Sequence, residues 1–382
     1  IPKFSKKGSR SSMPVIPSSS SGREAATPLR RSSLRVVAIG GGTGWSTLLR
    51  GLRRYAPSPQ PSETDTVAVP SLISDLAAVV TVTDDGGSSG RLRRHFNMLP
   101  PGDLRNCMVA LADDEALLSK LFRHRFSSSS ASLNGDGESM ASLEGHSFGN
   151  LFLAALTSIT HDFGEAVRLS SEILLTRGHI YPVTTSHVEL EALMQDGSRV
   201  RGETNITASK GRIGELFLIP PDVQPLPQTL EAIARADLIT IGPGSLFTSL
   251  IPNLLVPGIA RAIIDSKATK VFVCNLMTQA NESLGRSVGD HIRALTEHVG
   301  AQMFDYVLIN RAPASEEMQT KYAEQNAAPI VPDLEAVRGL GVHPLLGDYL
   351  EEAGVARHAT DRVARDLMAL LASREPRAIP KA

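Results

Sequence analysis

Leu34-Arg35-Val36-Val37-Ala38-Ile39-Gly40-Gly41-Gly42-Thr43-Gly44-Trp45-Ser46-Thr47-Leu48-Leu49 decides the fold. Leu34 to Ile39 is a short apolar, β-branched run, polar only at Arg35, as expected of a strand buried on both faces. Gly40 to Gly44 lets the backbone take positive φ and approach a ligand closely. From Trp45 onward the spacing turns helical, with Leu48, Leu49 and Leu52 on one face. A loop of this kind aims free backbone N–H groups, and the positive end of a helix, at an anion. We read Gly41, Gly42, Thr43 and Gly44 as a cradle for a nucleotide phosphate. The bland alternative is a tight turn, but four glycines among residues 40–44 exceed what a turn needs. The loop is not the dinucleotide fingerprint, because Thr47 stands where the third glycine belongs. Nor is it a P-loop, because no Gly-Lys-Ser/Thr follows.

Downstream, Ala56-Pro57-Ser58-Pro59-Gln60-Pro61-Ser62 opens a proline-rich surface insertion over 57–75. Ala77 to Thr83 reads as a second buried strand. It ends in Asp84-Asp85-Gly86-Gly87-Ser88-Ser89-Gly90-Arg91, a second place for chemistry. Gly86, Gly87, Ser88 and Ser89 are candidate phosphate donors. Asp84 and Asp85 can accept from ribose or sugar hydroxyls, or hold Mg²⁺ as paired carboxylates. An Asx turn in a glycine loop is the plainer reading. Arg91 joins them at the rim. Pro100 to Asn106 reads as a helix start with Asp103 as N-cap and Asn106 nearby. Residues 127–143 are a Ser-rich, low-complexity insertion. Gly145-His146-Ser147-Phe148-Gly149-Asn150 closes it and opens an apolar helix. From there His146 and Asn150 can reach a ligand, or His146 can serve as a cap.

Residues 179–220 change period, with three strand-like pieces and an Asp196-Gly197 turn, and read as a small β-rich insertion. Asp237 to Ile241 is a strand. Gly242-Pro243-Gly244-Ser245-Leu246-Phe247-Thr248-Ser249 after it is a second glycine loop opening into a helix. Gly242, Gly244 and Ser245 are therefore candidate phosphate donors too. Further strands end at Asn275-Leu276-Met277-Thr278-Gln279 and at Asn310, placing Asn275 and Thr278 on the rim. If the sheet is parallel, Gly40, Asp84, Gly242, Asn275 and Asn310 share one rim, where open sheets bind ligands. The expected fold class is α/β: a Rossmann-like, three-layer, mostly parallel sheet over 34–376, with the β-rich part inserted.

Composition narrows the rest. The 382 residues are 42% hydrophobic with a net charge of -1, which supports a large core and gives no bias toward nucleic acid. Aromatics are only 4%, which argues against base-stacking platforms. Cys107 and Cys274 lie far apart in apolar runs and read as buried free thiols. No apolar stretch approaches about 18 residues, so no membrane span is expected. Residues 1–33 are basic and Ser-rich, with Glu24 the only acid. They read as a disordered tail, with a transit peptide as the alternative. Residues 377–382 read as a frayed end. A homo-oligomer is compatible with all of this.

Six segments in order resemble one family: Ala38–Gly44, Thr83–Leu92, Pro100–Asn106, Gly145–Asn150, Gly242–Ser249 and Asn275–Gln279. It is the gluconeogenesis factor family (YvcK-like), within the superfamily of 2-phospho-L-lactate transferase (CofD). The resemblance runs from about Leu34 to about Asn310 and continues more weakly beyond. It implies a cytoplasmic regulator that binds UDP-sugars, notably UDP-N-acetylglucosamine. It also implies a role in gluconeogenic growth and in cell shape and wall synthesis, and with it a regulatory protein partner. The transferase relatives instead move a phospholactyl group with Mg²⁺, which makes Asp84 and Asp85 the matching metal residues. Two departures stand out. Phe247 replaces a tyrosine common in relatives. Asn281-Glu282-Ser283-Leu284-Gly285-Arg286 replaces a stretch ending in tyrosine, which puts sugar-nucleotide specificity in doubt if Arg286 stands where that tyrosine touches the ligand. A guanidinium there can still stack on a base or pair with a phosphate.

Overall fold

The computed structural model describes residues 34–58, 71–112, 117–127 and 143–372. The expected N-terminal tail, the expected frayed end and most of the two surface insertions lie outside these residues. The strands are β1 (Leu34–Gly40), β2 (Ile73–Val80), β3 (His179–Pro182), β4 (Glu189–Met194), β5 (Arg199–Arg201), β6 (Ile213–Ile219), β7 (Leu238–Ile241), β8 (Thr269–Val273), β9 (Tyr306–Asn310), β10 (His343–Gly347), β11 (Leu350–Glu352) and β12 (Ala356–His358). Seven form one sheet in the order β10-β9-β8-β7-β1-β2-β3. All six pairings are parallel, so the strand ends named above do share a rim.

This order places a topological switch between β1 and β7. The chain builds outward from β1 through β2 to β3, then returns to the other side of β1 and builds outward again. Open parallel sheets bind ligands at such a crevice. The central strands are apolar because both faces are covered: Val36, Ile39, Val79, Val80, Ile239 and Ile241 are all buried. Arg35, the polar exception, is explained by Asp237. It donates its backbone N–H and two guanidinium N–H groups to that carboxylate at 2.9, 3.0 and 3.1 Å, tying the start of β1 to β7 across the switch.

Helix α1 (Gly42–Arg53) buries Trp45, Leu48, Leu49 and Leu52. It packs against α3 (Gly102–Leu111) and the C-terminal helix Thr360–Ala372. The β-rich insertion is a three-stranded antiparallel sheet, β5-β4-β6. Strands β11 and β12 form a separate hairpin.

Several expectations need correction. The second strand starts at Ile73, not Ala77, so the proline-rich insertion ends sooner; Ser74 and Asp75 are polar because they lie at the less covered end of β2. β3 belongs to the main sheet, not to the insertion, which narrows to β4–β6. Gly87–Phe96 is a helix, α2, rather than a loop. The N-cap of α3 is Pro101, and Asp103 stands in its first turn. Within the insertion, Glu203–Ala208 is a short helix rather than part of a strand. Cys107 and Cys274 are buried and unpaired. Among the described residues no single helix is long and apolar enough to cross a membrane.

Candidate functional site

The two glycine loops meet. Gly41 caps α1 in an extended conformation, and Gly42 opens the helix at φ +77°. Across the β1–β7 seam, Gly242 takes φ +85°, and a Cβ there would lie 2.7 Å from the Val273 carbonyl oxygen, so only glycine fits. Asn275 clamps the second loop from both sides. Its Oδ1 accepts the Gly244 N–H at 2.9 Å, and its Nδ2 donates to the Gly244 carbonyl at 2.7 Å. Beyond it, Leu246–Leu250 winds as a single π turn into the helix Ile251–Leu255. Buried Glu282 accepts the Phe247 N–H at 3.3 Å and the Thr248 hydroxyl at 2.8 Å, satisfying that helical start.

Between the loops lies a cleft of about 390 Å³. Gly41, Gly42, Thr43, Gly44, Gly244, Ser245, Asn275 and Thr278 line it, and no Lys or Arg does among the described residues. Any anion here is met by backbone N–H groups and helical N-termini rather than by side-chain cations. A larger hollow of about 800 Å³ lies along edge strand β3 and the helix Phe163–Ile173. It lacks both glycine loops and sits away from the switch, so the smaller cleft is the better site on chemical grounds.

The acids divide differently from expectation. Asp84 accepts the Gly86 N–H at 2.9 Å, the plain Asx turn. Asp85 turns away: its Oδ1 accepts the Thr204 N–H at 2.9 Å and the Thr204 hydroxyl at 2.5 Å, anchoring the short helix of the β-rich insertion. The two carboxylates therefore do not act as a pair. Among the described residues no group of three His, Cys, Asp or Glu side chains converges as a metal site. Asp84 and Asp85 thus point to different partners rather than to one shared site.

Asp103 takes the central place instead. Its carboxylate accepts the Gly42 N–H at 2.9 Å, so the first glycine loop already holds an anion of the protein's own. Burial, and then the charge of Asp84, push its carboxyl up to about 6, against the pull of the Gly42 N–H, Asn106 and Arg105. The sign follows. A carboxyl with a raised folded pKa binds protons that the unfolded chain has released, so this group's contribution to stability falls as pH rises through about 6. An added anion beside Asp103 raises that pKa further, so diphosphate affinity is expected to weaken as pH rises above about 6. Calorimetry across this range should show the dependence in the wild type and a flatter one in Asp103→Asn. Glu203, not anticipated, is pushed up to about 7 by burial and by Asp84, Asp85 and Glu282.

Other expected site residues are spent on structure. Ser88 and Ser89 point inward from α2. The Ser88 hydroxyl meets His146 Nδ1 at 2.9 Å and accepts from Asn150 Nδ2 at 3.1 Å, while Ser89 accepts the Gly102 N–H at 3.1 Å. His146 is thus a tie to α2, and the helix cap is Ser147. Arg91 donates to the Glu144 carbonyl at 2.6 Å, and Asn106 accepts from Arg105 at 2.7 Å. Gly86, Gly87 and Asp85 line a neighbouring cleft with Arg93 and Arg94. Thr278 lines the main cleft, but its hydroxyl accepts the Ala328 N–H at 2.9 Å. Arg286 lies over the Phe247 ring at 5.1 Å, and neither side chain lines the cleft. The two departures from the family pattern therefore sit against each other. The cleft residues outside the predicted set include Gln279, Tyr322 and His358. Gln279 belongs to a segment already singled out, and its Nε2 donates to the Ser245 hydroxyl at 2.8 Å. No motif surrounds the other two.

Comparison with known proteins identifies the family. The family model described as 2-phospho-L-lactate transferase CofD matches residues 36–350. The gluconeogenesis factor of Halalkalibacterium halodurans is 43% identical, over 87% of this chain and 95% of that protein. The gluconeogenesis factor of Bacillus subtilis is 42% identical, over 88% and 98%. The crystal structure of a UPF0052 family member from Bacillus halodurans superposes with a TM-score of 0.78 at 41% identity, covering 88% of this chain and 99% of that one. With a match of this extent and relatives of this identity, the chain belongs to the CofD family and stands among its gluconeogenesis factors.

Proposed function

We propose that the chain is a nucleotide-sugar-binding regulator, with a UDP-N-acetylglucosamine-like ligand seated across the β1–β7 seam. The observation that carries this is the meeting of two glycine loops at the topological switch of the sheet, in a cleft that no Lys or Arg lines among the described residues. In this reading the loops Gly41 to Gly44 and Gly244 to Ser245 hold the diphosphate through backbone N–H groups other than those of Gly42 and Gly244, which Asp103 and Asn275 already accept. Asp84 and Asp103 face the sugar or ribose hydroxyls, and Asn275 keeps the second loop in shape. The names of the relatives support a role in gluconeogenesis, and the resemblance implies a cytoplasmic setting for it. The resemblance extends that role to cell shape and wall synthesis, through a protein partner.

A second reading, a transferase acting on a nucleotide diphosphate-linked donor, is favoured by Asp103. A carboxyl titrating near 6 beside the loop is suited to proton transfer. The divergence of Asp84 and Asp85 weighs against it.

Calorimetric titration with UDP-N-acetylglucosamine, UDP, GDP and NAD, each with and without Mg²⁺, separates the two. The regulator reading expects the UDP-sugar to bind and to be recovered unchanged. Preference for GDP with Mg²⁺, or consumption of the donor, would replace it with the transferase reading.

A further inference from the structure

The C-terminal wall of the cleft carries a hydrogen-bond pattern that the glycine loops lack. Ala356 and His358 are two apart on β12, so their side chains share a face, and both line the cleft. The ring of His358 is fixed by the Cys274 carbonyl at the end of β8, 3.0 Å from Nε2. A carbonyl only accepts, so Nε2 carries the proton and Nδ1 is left as a bare acceptor. Nδ1 has no hydrogen-bond partner among the described residues. Burial holds the imidazole neutral, down to about 4, against the pull of the Cys274 carbonyl. Tyr322 stands on the same wall. Its hydroxyl oxygen accepts the Ala356 N–H at 3.1 Å, and its own proton remains to be donated.

We infer that His358 Nδ1 accepts a hydrogen bond from the nucleoside end of the ligand, with Tyr322 donating beside it. The inference rests on reading the cleft as a nucleotide site. A diphosphate at neutral pH offers acceptors and no strong donor, so the glycine loops can take it but His358 cannot. An acceptor that faces the cleft is open to a ligand N–H or O–H, which takes the place of solvent there. The ligand therefore lies with its phosphates on the glycine loops and its nucleoside against β12. An acceptor and a donor on one wall complement an imide edge, with N–H beside C=O, or a pair of ribose hydroxyls.

The test uses UDP and inorganic pyrophosphate, titrated calorimetrically into the full chain and two variants. His358→Gln keeps an N–H for the Cys274 carbonyl but removes the Nδ1 acceptor. His358→Asn keeps an acceptor near Nδ1 but loses the bond to Cys274. We expect UDP to bind about tenfold or more weakly to His358→Gln and less weakly to His358→Asn, with pyrophosphate unchanged in both. A purely structural histidine gives the reverse order, and that result overturns the inference. So does a parallel loss of UDP and pyrophosphate, or wild-type affinity of His358→Gln for UDP. N3-methyl-UDP and 2′-deoxy-UDP then tell the base from the ribose: the analogue that already lacks the donor binds wild type and His358→Gln alike. If the wild-type chain binds neither UDP nor pyrophosphate, the reading of the cleft fails first and the inference falls with it. If it binds both and the variants do not discriminate, only the inference falls.

Discussion

Gly44→Val is expected to abolish binding of a nucleotide diphosphate while leaving the fold intact. Gly44 lies in the exposed first turn of α1 and lines the cleft, and a Cβ built there meets nothing within 4 Å. The protein therefore has no internal reason for glycine at this position. If a phosphate rests against the loop, the branched side chain occupies its place and breaks the contact with the backbone N–H groups. A loss on the order of 100-fold in affinity corresponds to about 2.7 kcal/mol. The thermal midpoint without ligand should move little, since no packed group is disturbed. Gly244 is a poorer probe: its Cβ would press on Leu250 at 3.1 Å and on the Gly41 carbonyl at 3.2 Å, so valine there disturbs both loops at once. Calorimetry with the UDP-sugar, beside a melt of the free protein, decides the matter. Wild-type affinity in Gly44→Val removes the first loop from the site.

Trp45→Ala is expected to cost about 3–5 kcal/mol of stability, the range for truncating a large buried aromatic. Trp45 is fully buried one turn into α1. It forms the floor of the first glycine loop, since a Cβ on Gly40 would lie 2.7 Å from its ring. Removing the indole leaves a void under the loop as well as under the helix, so ligand affinity should fall along with stability. Urea unfolding followed by circular dichroism measures the first effect, and calorimetry the second. A loss below about 1.5 kcal/mol would mean that the core closes around the void.

Much of this architecture was legible in the chain. β1 and its loop declare themselves because a doubly buried strand must be apolar and a loop that approaches a ligand must be glycine-rich. The second loop follows the same logic. What the chain concealed has physical reasons. Gly86 to Gly90 looks like a flexible loop. Gly90 is glycine because α2 passes so close to the Asp85 carbonyl that any Cβ would strike it. There glycine signals close packing inside a helix, not freedom. β3 and β10 escaped notice because each is short, ends or bends at a proline (Pro182, Pro344), and lies at an edge of the sheet, where a missing N–H is tolerated. Asp84 and Asp85 are adjacent in sequence, yet their side chains diverge, as neighbouring residues outside a helix commonly do. Asp103 gave no sign of its bond to Gly42, because a contact between residues 61 apart depends on the packing of α1 on α3. His358 belongs to a hairpin whose place at the cleft only the assembled fold reveals.

The chain holds a single tryptophan, and it is the one beneath the glycine loop. Every photon of indole emission from this molecule therefore comes from the floor of its candidate site. Its Nε1 is buried without a hydrogen-bond partner among the described residues, so the emission starts from a desolvated setting. A ligand that reorders the loop or displaces Asp103 changes the field around that one ring. Occupancy can then be followed in the unlabelled protein, in real time and at low concentration, with no second indole to subtract.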